Sequence, residues 1–148
     1  MIRKVDHIAI AVKDLEASKR MFIEAFGAEL IIQKENPEGQ YTVAIFKLGE
    51  NTISMLESTS PDGFVAKHIE RNGQGIQHVG IEVDNLDEIQ KHWEKYGFKT
   101  SNYAEKPGIK REVLLSPKNG FGIIFQIMDW LGELDKATNV ERMKKAWG

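Results

Sequence analysis

Cysteine is absent from the 148 residues, which excludes disulfides, thiolate nucleophiles and cysteine-ligated zinc and leads to the expectation of a cytoplasmic protein. A dominant charge is absent too. The 20 basic and 22 acidic side chains leave a formal charge of −2, so nothing draws the chain to a phosphate backbone or an anionic bilayer, and neither nucleic acid nor membrane is expected as a partner. No apolar run is long enough for a membrane span or the core of a signal peptide, although Arg3 and Lys4 stand near the start. Proline is scarce, with four residues, and each falls where a turn is expected. What remains is 41% hydrophobic and 28% charged, an ordinary globular composition at the length of one domain, residues 1–148.

The chain repeats itself. Residues 5–15 (VDHIAIAVKDL) align with residues 76–86 (IQHVGIEVDNL) at an offset of 71, which sets His7 on His78. Each segment leads into a helical stretch, residues 16–26 and 87–96, that stops at Gly27 or Gly97. Phe22 and Trp93 share the offset, so the register runs through the helices. Alternation in the first strand puts Ile8, Ile10 and Val12 on one face and His7, Ala9 and Ala11 on the other. In the second copy Val79, Ile81 and Val83 oppose His78, Gly80 and Glu82. The branched faces are expected to pack on the helices, which turns both histidines toward a groove lined by small and polar residues.

Three further strands are expected in each copy, at 29–34, 41–48 and 51–57, then 99–103, 112–116 and 122–128, punctuated by Pro37, Gly39, Gly49, Pro107, Gly108, Pro117 and Gly120. The order βαβββ therefore occurs twice, as module 1 (about 5–57) and module 2 (about 76–128). The connector, 58–75, carries a turn at Pro61 and a short helix over 64–71. Residues 129–148 lie outside the duplication, and Trp130, Leu131, Leu134, Val140 and Met143 predict a C-terminal helix docked on the body or on another subunit.

The last strands also come into register, Ser54 meeting Gln126 at an offset of 72. Pairing of the copies about a pseudo-twofold axis would bring His7, Ser54, His78 and Gln126 to the base of one groove. Two neutral imidazoles from different strands, with oxygen donors beside them, are the start of a divalent metal site with positions left open for substrate. His68 and His92 have no counterpart in the duplication and read as surface residues. The stretch 73–75 closes a loop and lacks the Lys-Ser/Thr pair of a phosphate cradle.

The segments VDHIAIAVKDLEAS, ISMLESTSPDGFVAKHI, GIQHVGIEVDNLDEI and VLLSPKNGFGIIFQI, in that order across about residues 5–128, resemble the vicinal oxygen chelate superfamily, which includes glyoxalase I and extradiol dioxygenases, and within it the methylmalonyl-CoA epimerases. The resemblance implies an α+β fold, two paired βαβββ modules in a curved mixed sheet around a central cup. It implies a divalent ion (Co, Zn, Mn or Ni) held by His7 and His78, with Ser54 and Gln126 as further metal ligands. It also implies a small acyl-CoA substrate and a homodimer. Ser54 stands where the family usually has Glu or Gln, and Gln126 where it has Glu, so the set carries no negative charge and metal affinity should fall. Neither residue can serve as a carboxylate base, leaving Glu82 and Glu112 as candidate catalytic residues for moving the α-proton. Other readings are a glyoxalase-type reaction or iron oxygenase on the same cup, and a binding protein that retains the groove without catalysis.

Overall fold

A computed structural model describes all residues, Met1–Gly148. The elements follow in the order β1 (Ile2–Ala11), α1 (Leu15–Phe26), β2 (Glu29–Asn36), β3 (Tyr41–Leu48), β4 (Asn51–Ser58), α2 (Phe64–Asn72), β5 (Gly75–Val83), α3 (Leu86–Glu94), β6 (Thr100–Lys106), β7 (Lys110–Leu115) and β8 (Ile124–Trp130), then a 3-10 turn (Gly132–Lys136) and α4 (Asn139–Trp147). This is an α+β fold in which βαβββ occurs twice. No helix is long and apolar enough to cross a membrane.

The chain forms two compact units. One holds His7–Gln77 with Trp147–Gly148, and the other holds Met1–Asp6 with His78–Ala146; they are called the first and second unit below. The divisions fall inside β1 and β5, not at the ends of the expected connector. The start of β1 counts with the second unit for a physical reason: the terminal ammonium of Met1 pairs with Asp84, Arg3 pairs with Asp135, and Asp6 accepts a hydrogen bond from the Trp130 indole at 2.9 Å.

The first unit orders its strands β2-β3-β4-β1. The β1 and β4 strands are parallel, with Ala9 beside Ser54 and Ala11 beside Leu56, while β3 runs antiparallel to both β2 and β4. The expected division of faces is present. Ile8 and Ile10 pack with Val12, Leu15, Phe22, Phe46, Ile53 and Met55 in the core beneath α1. Phe22 and Phe46 meet edge to face, ring centroids 5.2 Å apart, and burial of each ring contributes about 1.5–3 kcal/mol. On the opposite face Ala9, Ala11 and Ser54 are buried as well.

The second unit repeats the arrangement: β5 runs parallel to β8, and β7 lies antiparallel to β8 and β6. Ile81 and Val83 pack with Leu86, Ile89, Trp93, Val113 and Ile127, so Trp93 occupies in this core the place Phe22 has in the other.

The duplication extends to the helix starts. Asp14 caps α1 by accepting from the Ala17 amide at 3.0 Å, and Asn85 caps α3 by accepting from Glu88 at 3.1 Å. A carboxylate on the last strand of each copy receives the next orphan amide, Leu15 N donating to Glu57 at 2.9 Å and Leu86 N to Asp129 at 3.1 Å. Glu57 thus turns away from Ser54, as alternation predicts. Asp129 also binds Arg111 at 2.6 Å, and that hydrogen bond raises the guanidinium pKa further.

The C-terminal region departs from expectation. Residues 129 and 130 continue β8, because Asp129 and Trp130 pair with Arg111 and Lys110 and the Leu131 amide donates to Ile109 at 2.8 Å. Helix begins only at Asn139. The apolar spacing that suggested one helix belongs to a strand end, a 3-10 turn and a short helix in succession. A capping box opens α4: the Thr138 amide donates to Glu141 at 2.8 Å and the Glu141 amide to the Thr138 hydroxyl at 3.3 Å. The Thr138 amide, then its hydroxyl, hold the Glu141 carboxyl below the usual glutamate range. Because the folded pKa is depressed, this cap is intact above the ordinary glutamate value and is lost as the pH falls through the folded one. Hydrogen exchange at Thr138, corrected for intrinsic rate, is therefore expected to accelerate on acidification before exchange in β8 does; simultaneous release of both would contradict the assignment.

Candidate functional site

The open face of the second unit is defined by strand register. His78 pairs with Ile124, Gly80 with Gln126 and Glu82 with Met128, while Leu114 and Glu112 stand opposite Gln126 and Met128 from β7. Partners in register share a face, so His78, Glu82, Glu112 and Gln126 all project from the side opposite α3. Glycine at position 80 keeps side-chain bulk out of the row between His78 and Glu82.

Gln126 and Glu112 are joined directly. The Gln126 amide nitrogen donates to Glu112 Oε2 at 2.9 Å, and Lys110 Nζ reaches the same oxygen at 2.7 Å. Glu112 Oε1 makes no protein hydrogen bond, and its side chain is 21% exposed. With its nitrogen committed, Gln126 presents its carbonyl oxygen in the other direction, where Oε1 is buried without a hydrogen-bond partner. Leaving such an acceptor dry and unmatched costs about 1–3 kcal/mol. The arrangement therefore offers an oxygen to a cation or a donor on the His78 face.

Glu82 is placed differently. Its carboxylate is buried and receives both arms of Arg142, Nη1 to Oε2 and Nη2 to Oε1, each at 3.0 Å. Arg3 and Lys4 approach the same group at 3.5 and 3.7 Å. Arg142 is itself buried, donates through Nε to the Leu134 carbonyl at 2.7 Å and through Nη2 to the Asp135 carbonyl at 2.8 Å, and lies 5.3 Å from the centre of the Trp130 ring. A buried carboxylate with both oxygens engaged by Arg142 anchors the tail to the sheet. The structure places Glu82, expected as a candidate catalytic residue, in a buried ion pair with Arg142. Sequence reading missed Arg142 altogether, since nothing local separates it from a solvated lysine or arginine on an exposed helix.

In the first unit His7 and Ser54 are both buried. They share a face, Ser54 lying beside Ala9, two residues beyond His7 on β1. The remaining histidines are peripheral: His68 contacts Asn72 on α2, and His92 meets the Tyr96 ring. Two surface hollows contain none of the candidate residues. One, of about 630 Å³, is lined by the tail around Leu134 and Glu141; the other, about 530 Å³, by Met21, Phe26 and their neighbours on α1.

The donor chemistry can be tested against a divalent ion. No group of three or more His, Cys, Asp or Glu side chains is arranged to hold a metal, so a cation here would depend on mixed donors, amide oxygen included. The unmatched Gln126 oxygen on the His78 face fits that role, with little charge compensation.

The duplicated βαβββ topology and these faces define a class, and the chain belongs to the glyoxalase/bleomycin resistance protein/dioxygenase superfamily, whose family model matches residues 6–113. Within that class the similarity leads to epimerases. The chain is 28% identical over 131 residues to the ethylmalonyl-CoA/methylmalonyl-CoA epimerase of Cereibacter sphaeroides, covering 86% of this chain and 98% of that one. It is 27% identical over 127 residues to the mitochondrial methylmalonyl-CoA epimerase of Homo sapiens, covering 84% and 72%. The crystal structure of methylmalonyl-CoA epimerase from Mycobacterium tuberculosis superposes with a TM-score of 0.79 at 20% identity, over 92% of this chain and 93% of that one.

Proposed function

We propose that this protein is an epimerase of a small acyl-CoA thioester, with Glu112 as the group that takes the α-proton. The observation that carries this reading is the Gln126–Glu112 pair on the His78 face, in which both protein hydrogen bonds to the carboxylate fall on Oε2 and Oε1 is left for a substrate proton. The epimerase relatives support the substrate class.

In this reading the α C–H bond breaks, its electron pair passes into the enolate of the thioester, and the proton goes to Glu112. Lys110 and the Gln126 amide steady the carboxylate before transfer. A proton returned from the opposite side, after exchange with solvent, inverts the centre. A divalent ion, when bound, would supply Lewis-acid stabilisation of the enolate oxygen. His78 and Gln126 are the proposed donors to it from the second unit; His7 and Ser54 enter the proposal on the sequence duplication alone.

Incubation with methylmalonyl-CoA in heavy water, with divalent metals supplied in turn, is expected to place solvent deuterium on the α-carbon. Absence of exchange with every metal would remove the catalytic reading and leave a binding protein, the role favoured by the neutral Ser54 and Gln126.

A further inference from the structure

Phe121 is exposed to 94%, yet its backbone is held at φ +59°, in the left-handed region that a bulky side chain rarely adopts. Neither burial nor local preference accounts for it. The loop around it is closely braced: the Gly120 amide donates to the Ser116 carbonyl at 3.0 Å, Gly122 to Pro117 at 2.9 Å and Ile123 to Gly120 at 3.0 Å. At Gly120 a Cβ would come within 2.2 Å of the Ile123 carbonyl oxygen, so the turn requires glycine immediately before the phenylalanine. A strained residue retained in an over-determined loop is characteristic of ligand clamps.

The position suits a ligand. The loop joins β7 to β8, and Ile124, the first residue of β8, lies beside His78 with Gln126 two residues further on. Phe121 thus stands at the end of the second unit where the candidate site begins. Lys118, three residues earlier in the same turn and exposed, supplies a cation, and its amide is fixed to the Ser116 hydroxyl at 3.2 Å.

We propose that Phe121 is a stacking platform for the adenine of a coenzyme A thioester, with Lys118 meeting its phosphates. The inference rests on the acyl-CoA reading above and adds to it the residues that hold the nucleotide end. An exposed ring on a braced backbone presents its face to a base, and base–aromatic stacking changes affinity by about tenfold or more on truncation.

Titration calorimetry with coenzyme A tests this on the wild type, Phe121→Gly and Phe121→Leu. Both variants are expected to bind about tenfold more weakly or worse, whereas a pantetheine probe lacking the nucleotide is expected to bind all three alike. Phe121→Gly should also unfold at a higher temperature, because glycine takes positive φ without strain, which separates lost binding from lost folding. Unchanged coenzyme A affinity in both variants, or no binding by the wild type, overturns the proposal. So does a change of oligomeric state on Phe121→Gly, seen by light scattering, which would make the ring a subunit contact. If coenzyme A binds as expected while no α-deuterium is incorporated, the epimerase reading falls and the platform stands.

Discussion

Arg142→Met is expected to lower unfolding stability by about 3–5 kcal/mol, the cost of removing one partner from a buried ion pair. The variant leaves Glu82 inside the protein with only Arg3 and Lys4, at 3.5 and 3.7 Å, in place of the two 3.0 Å bonds from Arg142. It also removes the Arg142 bonds to the Leu134 carbonyl at 2.7 Å and the Asp135 carbonyl at 2.8 Å, leaving the latter only Arg3 at 3.5 Å, so the 3-10 turn and α4 loosen together. The comparison that isolates the charge is the double variant Glu82→Gln/Arg142→Met, which removes both members and should recover much of the loss. Urea denaturation of the three proteins checks this. A loss below about 1 kcal/mol in Arg142→Met would place the pair among weak surface bridges and reopen a chemical role for Glu82.

Glu112→Gln is expected to slow α-deuterium incorporation by about 10²–10⁴-fold, the usual contribution of a positioned general base. The replacement is nearly isosteric and keeps an oxygen for Lys110 and the Gln126 amide, so thermal unfolding should change little. Lys110→Met serves as a control for the electrostatic surroundings of the carboxylate, since its ammonium sits 2.7 Å from Glu112 but takes no proton from substrate in the proposed reaction. Exchange in Glu112→Gln within about threefold of wild type would dismiss Glu112 as the base.

These two carboxylates show where sequence reading reaches its limit. Alternation along β5 sets Glu82 four residues beyond His78 on one face, which is correct, and on that basis it is as good a candidate base as Glu112. What separates them is their partners. Glu82 meets Arg142, 60 residues away in sequence, and Glu112 meets Gln126 across a strand pair. Phe121 gave no signal either, because a phenylalanine between two glycines reads as loop composition until its φ and exposure are known.

The duplication, the βαβββ order and the sidedness of Ile8, Ile10, Ile81 and Val83 are all written in periods of two and 3.6 residues and in one offset of 71. These are local or repeated features, and the chain alone determines them. Only the folded molecule decided that both oxygens of Glu82 are engaged by a buried arginine while Lys110 and Gln126 share one oxygen of Glu112, that β8 runs on to Trp130, and that the Gln126 oxygen is left without a partner. Each of those outcomes depends on one particular long-range neighbour, and charge and hydrogen-bond energies are set by distance and burial, which periodicity does not encode.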